Sequence, residues 1–188
     1  MPSSSSHALI GGLIGAGLSA GGSGVIKWST VEKTAMAILL SPLVAFTVAF
    51  LAMFLVGLLQ RMTKWPDDAK PFKWLQIISS AAVSFGHGAN DAQKTMGIIA
   101  FALVAGGYLG VDDSIPMWVE ISAYSMIALG TVWGGWRIIE TMGLRLTTLH
   151  ANSGLAANIG ATTSIFGATS LGVPISTTHA AASSIVGA

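Results

Sequence analysis

The chain contains no cysteine, which excludes a disulfide framework, a thiolate nucleophile and any cysteine-based metal site. Charge is nearly as scarce. Asp, Glu, Lys and Arg make up 9% of the 188 residues, against roughly 25% in soluble domains. The net charge of +1 says nothing about partners, because the sign of individual loops matters more than the sum. No nucleic-acid partner and no cofactor are expected. What the chain has instead is apolar length: 52% hydrophobic residues, 23 glycines and a mean hydropathy of +0.70. Several uncharged runs reach the ~20 residues that a bilayer crossing takes. The expected fold class is all-α, a polytopic helical membrane protein.

In chain order, Ala8 to Gly17 is a glycine-rich helix of the kind that packs tightly against other membrane helices. Residues 19–33 read as a polar loop. Thr34 to Gln60 has no charge, and Ser41-Pro42 is expected to kink this helix or to mark its start. Residues 61–73 form a linker with Arg61, Lys64, Lys70 and Lys73, a basic content that argues for the cytoplasmic side. Trp74 to Gly107 reads as one crossing interrupted near its middle. Acidic residues 108–115 suit the outside, residues 116–136 form the next span, and Arg137 and Arg145 return to the basic side. From Leu146 to Ala188 there is no formal charge at all. Gly172-Val173-Pro174 divides that run into two short segments, the pattern of a re-entrant hairpin, tolerated only where protein or water surrounds it. The expected division is therefore 1–60, a linker at 61–73, and 74–188.

The most unusual stretch runs from Ser84 to Gly97. Asp91 and Lys94 are the only formal charges between Lys73 and Asp112. A charge deep in a bilayer costs at least ~2.5–3.5 kcal/mol on insertion scales, so such groups face a protein interior or a watery cavity. Gly86, Gly88 and Gly97 weaken a continuous helix, and the expectation is a broken helix with polar groups at mid-depth.

A second pattern is internal. Pro2-Ser3-Ser4-Ser5-Ser6-His7-Ala8 recurs as Pro174-Ile175-Ser176-Thr177-Thr178-His179-Ala180. Three crossings separate the copies, and an odd number makes them an inverted repeat. Asp91 lies 83 residues before Pro174, whereas only Met1 precedes Pro2. The expectation is a truncated protein lacking most of the first half-repeat.

Each Ser/Thr cluster sits where a short helix begins. Unpaired N–H groups and the helix dipole make such a start a place for an anion, and Ser176, Thr177 and Thr178 add hydroxyl donors. N-capping and packing is the alternative. Asp91 would repel an anion and suits a Na⁺ ligand, a proton carrier or a partner for Lys94, three residues on along one helix face. Asn90 can donate to an anion or hold a cation through its carbonyl oxygen. Lys94 is either a phosphate-binding charge or only the partner of Asp91. His7, His87 and His179 read as interior hydrogen-bonding residues or proton relays. Only His87 and Asp91 show ligand spacing, so no metal site is expected.

The block Gly88-Ala89-Asn90-Asp91-Ala92-Gln93-Lys94-Thr95-Met96-Gly97 resembles the second-half signature of the inorganic phosphate transporter (PiT) family. The two Ser/Thr motifs resemble its paired hairpins, and Ala128 to Arg137 the span between them. The resemblance implies a phosphate symporter coupled to H⁺ or Na⁺, integral and multi-pass in a bacterial inner membrane. It implies a site lined by Asn90, Asp91, Ser176, Thr177 and Thr178, with Ser4, Ser5 and Ser6 from the other half. The partners implied are inorganic phosphate, the coupling ion and the lipid bilayer, with the missing N-terminal half or a second copy beside them. The family's first Gly-Ala-Asn-Asp segment has no counterpart here. An anion channel or a non-transporting partner subunit is the alternative; a membrane hydrolase is less well supported, since no Gly-x-Ser-x-Gly elbow is present and no enzyme is expected.

Overall fold

A computed structural model describes residues 4–144 and 149–188. Pro2, Ser3 and Arg145 lie outside the described residues, as does the side chain of Arg137. The elements are α1 (Ser5–Gly21), a 3-10 turn (Gly22–Val25), α2 (Trp28–Thr63), α3 (Lys70–Ala105), α4 (Met117–Leu144), α5 (Ala151–Ser170) and α6 (Thr177–Gly187). By length and composition, Ser5–Val25 and Trp28–Thr63 are apolar enough to cross a bilayer. At 36 residues each, α2 and α3 extend about 54 Å, well beyond the ~30 Å hydrocarbon layer.

The spine of the molecule is α5, packed between α2 and α3 with α6 alongside. It can be buried because it carries small residues. Ala156, Ala157, Gly160 and Ala161 are buried, and Gly160 meets Ala45 and Ala49 of α2, both fully enclosed. Without a hydrophobic drive inside lipid, such close backbone approach is what holds helices together. The α3 side is polar: Asn158 Nδ2 donates to Ser79 Oγ (3.1 Å), Ser80 Oγ (2.8 Å) and the Gln76 carbonyl (3.4 Å). Many of the large apolar side chains point the other way, although Phe72 and Ile165 are buried. Phe50, Phe54 and Leu58 of α2, Phe85 and Phe101 of α3, and Trp133 of α4 are exposed, as a lipid-facing surface requires.

Two expectations are overturned. The chain does not break at its central motif: α3 runs unbroken from Lys70 to Ala105. A lipid-embedded helix has no water to satisfy freed backbone groups, a cost of several kcal/mol per group that outweighs the ~1 kcal/mol of a helical glycine. Gly86 instead provides close packing, since a Cβ there would stand 3.1 Å from Ile165 and from Phe166 of α5. Nor is 19–33 a polar loop. Helix α1 reaches Gly21 and α2 already begins at Trp28. Pro42 lies inside α2 rather than at its start; beside it, the Ser41 carbonyl accepts from Ser164 Oγ at 2.9 Å.

The linker and the hairpin are joined at their basic end. The Ala151 N–H donates to Asp68 Oδ1 (3.0 Å) and the Asn152 N–H to the Asp67 carbonyl (3.2 Å), so the linker caps α5 across 83 residues of sequence. The Ala151 N–H, followed by the charges of Lys73 and His150, holds the Asp68 carboxyl below its ordinary range. A depressed carboxylate supports the fold above its unfolded pKa, and the support is lost as pH falls through the folded value. Amide exchange at Ala151 is therefore expected to be slow near neutrality and to lose protection in acid. In Asp68→Ala that pH-dependent protection should be absent, a difference that hydrogen-exchange mass spectrometry reads directly.

Candidate functional site

Three helices bring chemistry to one place: the first turns of α1 and α6, and the middle of α3. The repeated motif is built the same way twice. Ser4 caps α1 at φ −86°, ψ 108°, and Ser176 caps α6 at φ −87°, ψ 103°. Each hydroxyl accepts from the backbone N–H three residues on, His7 and His179, both at 3.3 Å. Extended backbone at a serine followed by helix is the geometry an N-cap needs. The two tips also touch. Ser6 Oγ donates to the Ile175 carbonyl at 3.1 Å, and the imidazoles of His7 and His179 lie 4.9 Å apart between centroids.

On α3, residues 87, 90, 91 and 94 fall on one face by helical spacing. Lys94 joins everything. Its ammonium donates to Ser6 Oγ (2.7 Å), Asp91 Oδ1 (2.9 Å) and the Ile175 carbonyl (2.9 Å), which occupies all three of its protons. Its side chain is 13% exposed and that of Asp91 24%. His87 Nδ1 lies 2.8 Å from Thr177 Oγ1 and 3.5 Å from Asp91 Oδ2, so it bridges α3 to the α6 tip. Asn90 is buried; its Nδ2 donates to Thr169 Oγ1 at 3.4 Å, and its Oδ1 has no partner among the described residues.

Two cavities flank the Lys94–Asp91 pair. One, about 240 Å³, is lined by Asn90, Gln93, Lys94, Thr169 and Gly172, Val173 and Pro174 of the hairpin turn. The other, about 310 Å³, is lined by Ser5, Ser6, Asp91, Lys94 and Thr95 with Leu9, Ile98 and Ile127. Two helix N-termini and an ammonium favour an anion here. The Asp91 carboxylate and the open Asn90 oxygen favour a cation beside it. Among the described residues no group of three or more His, Asp or Glu could hold a metal ion.

The sequence candidates divide in three ways. Ser6, Asn90, Asp91, Lys94 and Thr177 enter the bonded network. Ser4 and Ser176 are buried caps, with their oxygens occupied by backbone N–H groups. Ser5 is exposed at the rim of the second cavity, and Thr178 is half-buried with no side-chain hydrogen bond among the described residues. Sequence reasoning missed Thr169 and Gln93. A signal existed for Gln93, which follows Asn90 by three residues on the same face; Thr169, in the last turn of α5, carried none of its own.

The whole chain, residues 1–188, matches the Phosphate transporter family (PHO4). It is 49% identical over 188 residues to a "Probable low-affinity inorganic phosphate transporter" of Rhizobium meliloti (strain 1021), covering 100% of this chain and 56% of that protein. A protein of the same description in Bacillus subtilis (strain 168) is 38% identical over 187 residues, with the same coverage. The chain thus spans about 56% of the length of these relatives. A solved structure titled "The sodium-dependent phosphate transporter" shares the fold at a TM-score of 0.80 and 24% identity, over 99% of this chain and 64% of that one. The expected all-helical membrane fold is borne out, and the protein is integral to the membrane and multi-pass. With its whole length matched and relatives at 38–49% identity, the chain belongs to the phosphate transporter family.

Proposed function

We propose that these residues form an inorganic-phosphate site of a secondary transporter in a bacterial inner membrane, coupled to H⁺ or Na⁺. Phosphate is held at the meeting of the α1 and α6 tips, by Lys94, by the hydroxyls of Ser6, Thr177 and Thr178, by Asn90, and by the hydroxyls of Ser4, Ser5 and Ser176 around them. Asp91 and the free oxygen of Asn90 take the coupling ion. The observation that carries the reading is Lys94, one cation bonded at once to both copies of the repeated motif. Three long helices, α2, α3 and α4, separate α1 from the hairpin, which supports reading the copies as inverted. Coverage of 56% of the relatives supports a further proposal, that complete transport needs more of the fold than these residues supply.

Equilibrium binding of labelled phosphate to the purified chain in detergent tests this. Saturable binding is expected, and Ser6→Ala and Thr177→Val should each weaken it about two- to tenfold, the cost of one hydrogen bond at about 0.5–1.5 kcal/mol. No saturable binding, or binding untouched by both changes, would remove the site from this place. A channel rather than a symporter would pass phosphate through vesicles without regard to an ion gradient.

A further inference from the structure

We propose that the His7–His179 ring pair is a shared proton site that fills when an anion reaches the adjoining helix tips, an inference resting on the phosphate reading above. The rings lie 4.9 Å apart with planes inclined at 58°. His7 Nε2 is shut away from solvent without a partner among the described residues. A buried polar atom left unpaired in this way is a place where a proton, a water or an ion has still to act.

The charges around the pair come from α3. Lys94 is bonded to Ser6, next to His7; His87 is bonded to Thr177, two residues before His179; Asp91 lies between Lys94 and His87. Helices α1, α5 and α6 contain no Asp, Glu, Lys or Arg, and those of α2 (Glu32, Lys33 and Arg61) fall in its end turns.

An isolated imidazole takes its proton near pH 6.5. Two imidazolium rings in contact repel each other, Lys94 adds a third positive charge, and Asp91 cancels one. A second proton on the pair is therefore opposed by Lys94 and by the first ring's own charge. An anion at the tips supplies the missing negative charge, and a second proton passes from the bulk onto a ring nitrogen; no bond of the anion is broken. Anion and proton then bind each the more tightly for the other, by the same factor.

Calorimetry of phosphate binding in buffers of different ionisation enthalpy reads the protons taken up. Phosphate's own ionisation contributes equally in every variant, so the comparison isolates the rings. His7→Gln or His179→Gln should lower the uptake by about one proton per phosphate near neutrality, and His150→Gln should leave it unchanged. Independently of phosphate, NMR of the chain should show the two rings responding to each other, His179→Gln moving the pH-dependent signals of His7. Equal proton counts in all variants, or His7 signals untouched by His179→Gln, would overturn the pair while leaving the phosphate site standing. No phosphate binding by the unmodified chain would overturn that site and the linkage with it.

Discussion

Lys94→Met is expected to abolish most phosphate binding and to destabilise the chain in the same stroke. Three bonds go at once, to Ser6, Asp91 and the Ile175 carbonyl. Those bonds bear on stability; for binding, what goes is the one charge-assisted bond the ammonium would give phosphate, about 1.5–3 kcal/mol, which lowers affinity about ten- to a hundredfold. The fold suffers because the mostly enclosed Asp91 carboxyl loses its ammonium partner and keeps, among the described residues, only the His87 ring beside it. Removing one partner of a buried pair costs about 3–5 kcal/mol, chiefly through the charge left behind. Adding Asp91→Asn should therefore return part of the stability and none of the binding. Thermal unfolding in detergent measures the first and labelled-phosphate binding the second. A single variant as stable as the parent would show that Lys94 does not hold the tips together.

Gly160→Val is expected to prevent the α2–α5 contact from forming. A Cβ at 160 would stand 2.5 Å from the Ala45 carbonyl oxygen, 2.7 Å from Ala49 Cβ and 2.9 Å from Ala49 N. Backbone cannot turn aside as a side chain can, so the helices must separate. Overpacking typically costs about 1–3 kcal/mol, and contact with backbone puts this site at the upper end or beyond. Because α3 and α6 also pack on α5, the loss spreads to the site. Gly160→Ala should already lower the unfolding temperature. Gly167→Ala, where nothing lies within 4 Å, should leave it unchanged or raise it, since alanine favours helix by up to about 1 kcal/mol. Equal behaviour of the two alanine variants would show that α2 and α5 are not held at this distance.

The site was more legible than the helices that carry it. Asp91 and Lys94 announced themselves because charge is so rare here, and three-residue spacing on a helix was enough to pair them. The repeat was legible as a pattern, and the matching serine caps show what it encodes: two identical helix starts. What misled was glycine. In water, Gly86 and Gly88 beside polar residues signal a break; in lipid the penalty for opening the backbone reverses that inference, and Gly86 serves the close approach of α5. Thr169 escaped because nothing local marks it. Its meaning comes from the hairpin folding back to set it against Asn90, 79 residues away in sequence.

An ammonium has three hydrogens, and the Ser6 hydroxyl, the Asp91 carboxylate and the Ile175 carbonyl take all three. Cargo cannot simply add itself to Lys94; it must evict an existing acceptor. If the Ser6 oxygen is the one released, the first turn of α1 loses a tether at the moment of loading. On the phosphate reading proposed above, an arriving anion would then act as a key, and Lys94 as the latch it turns on the α1 tip.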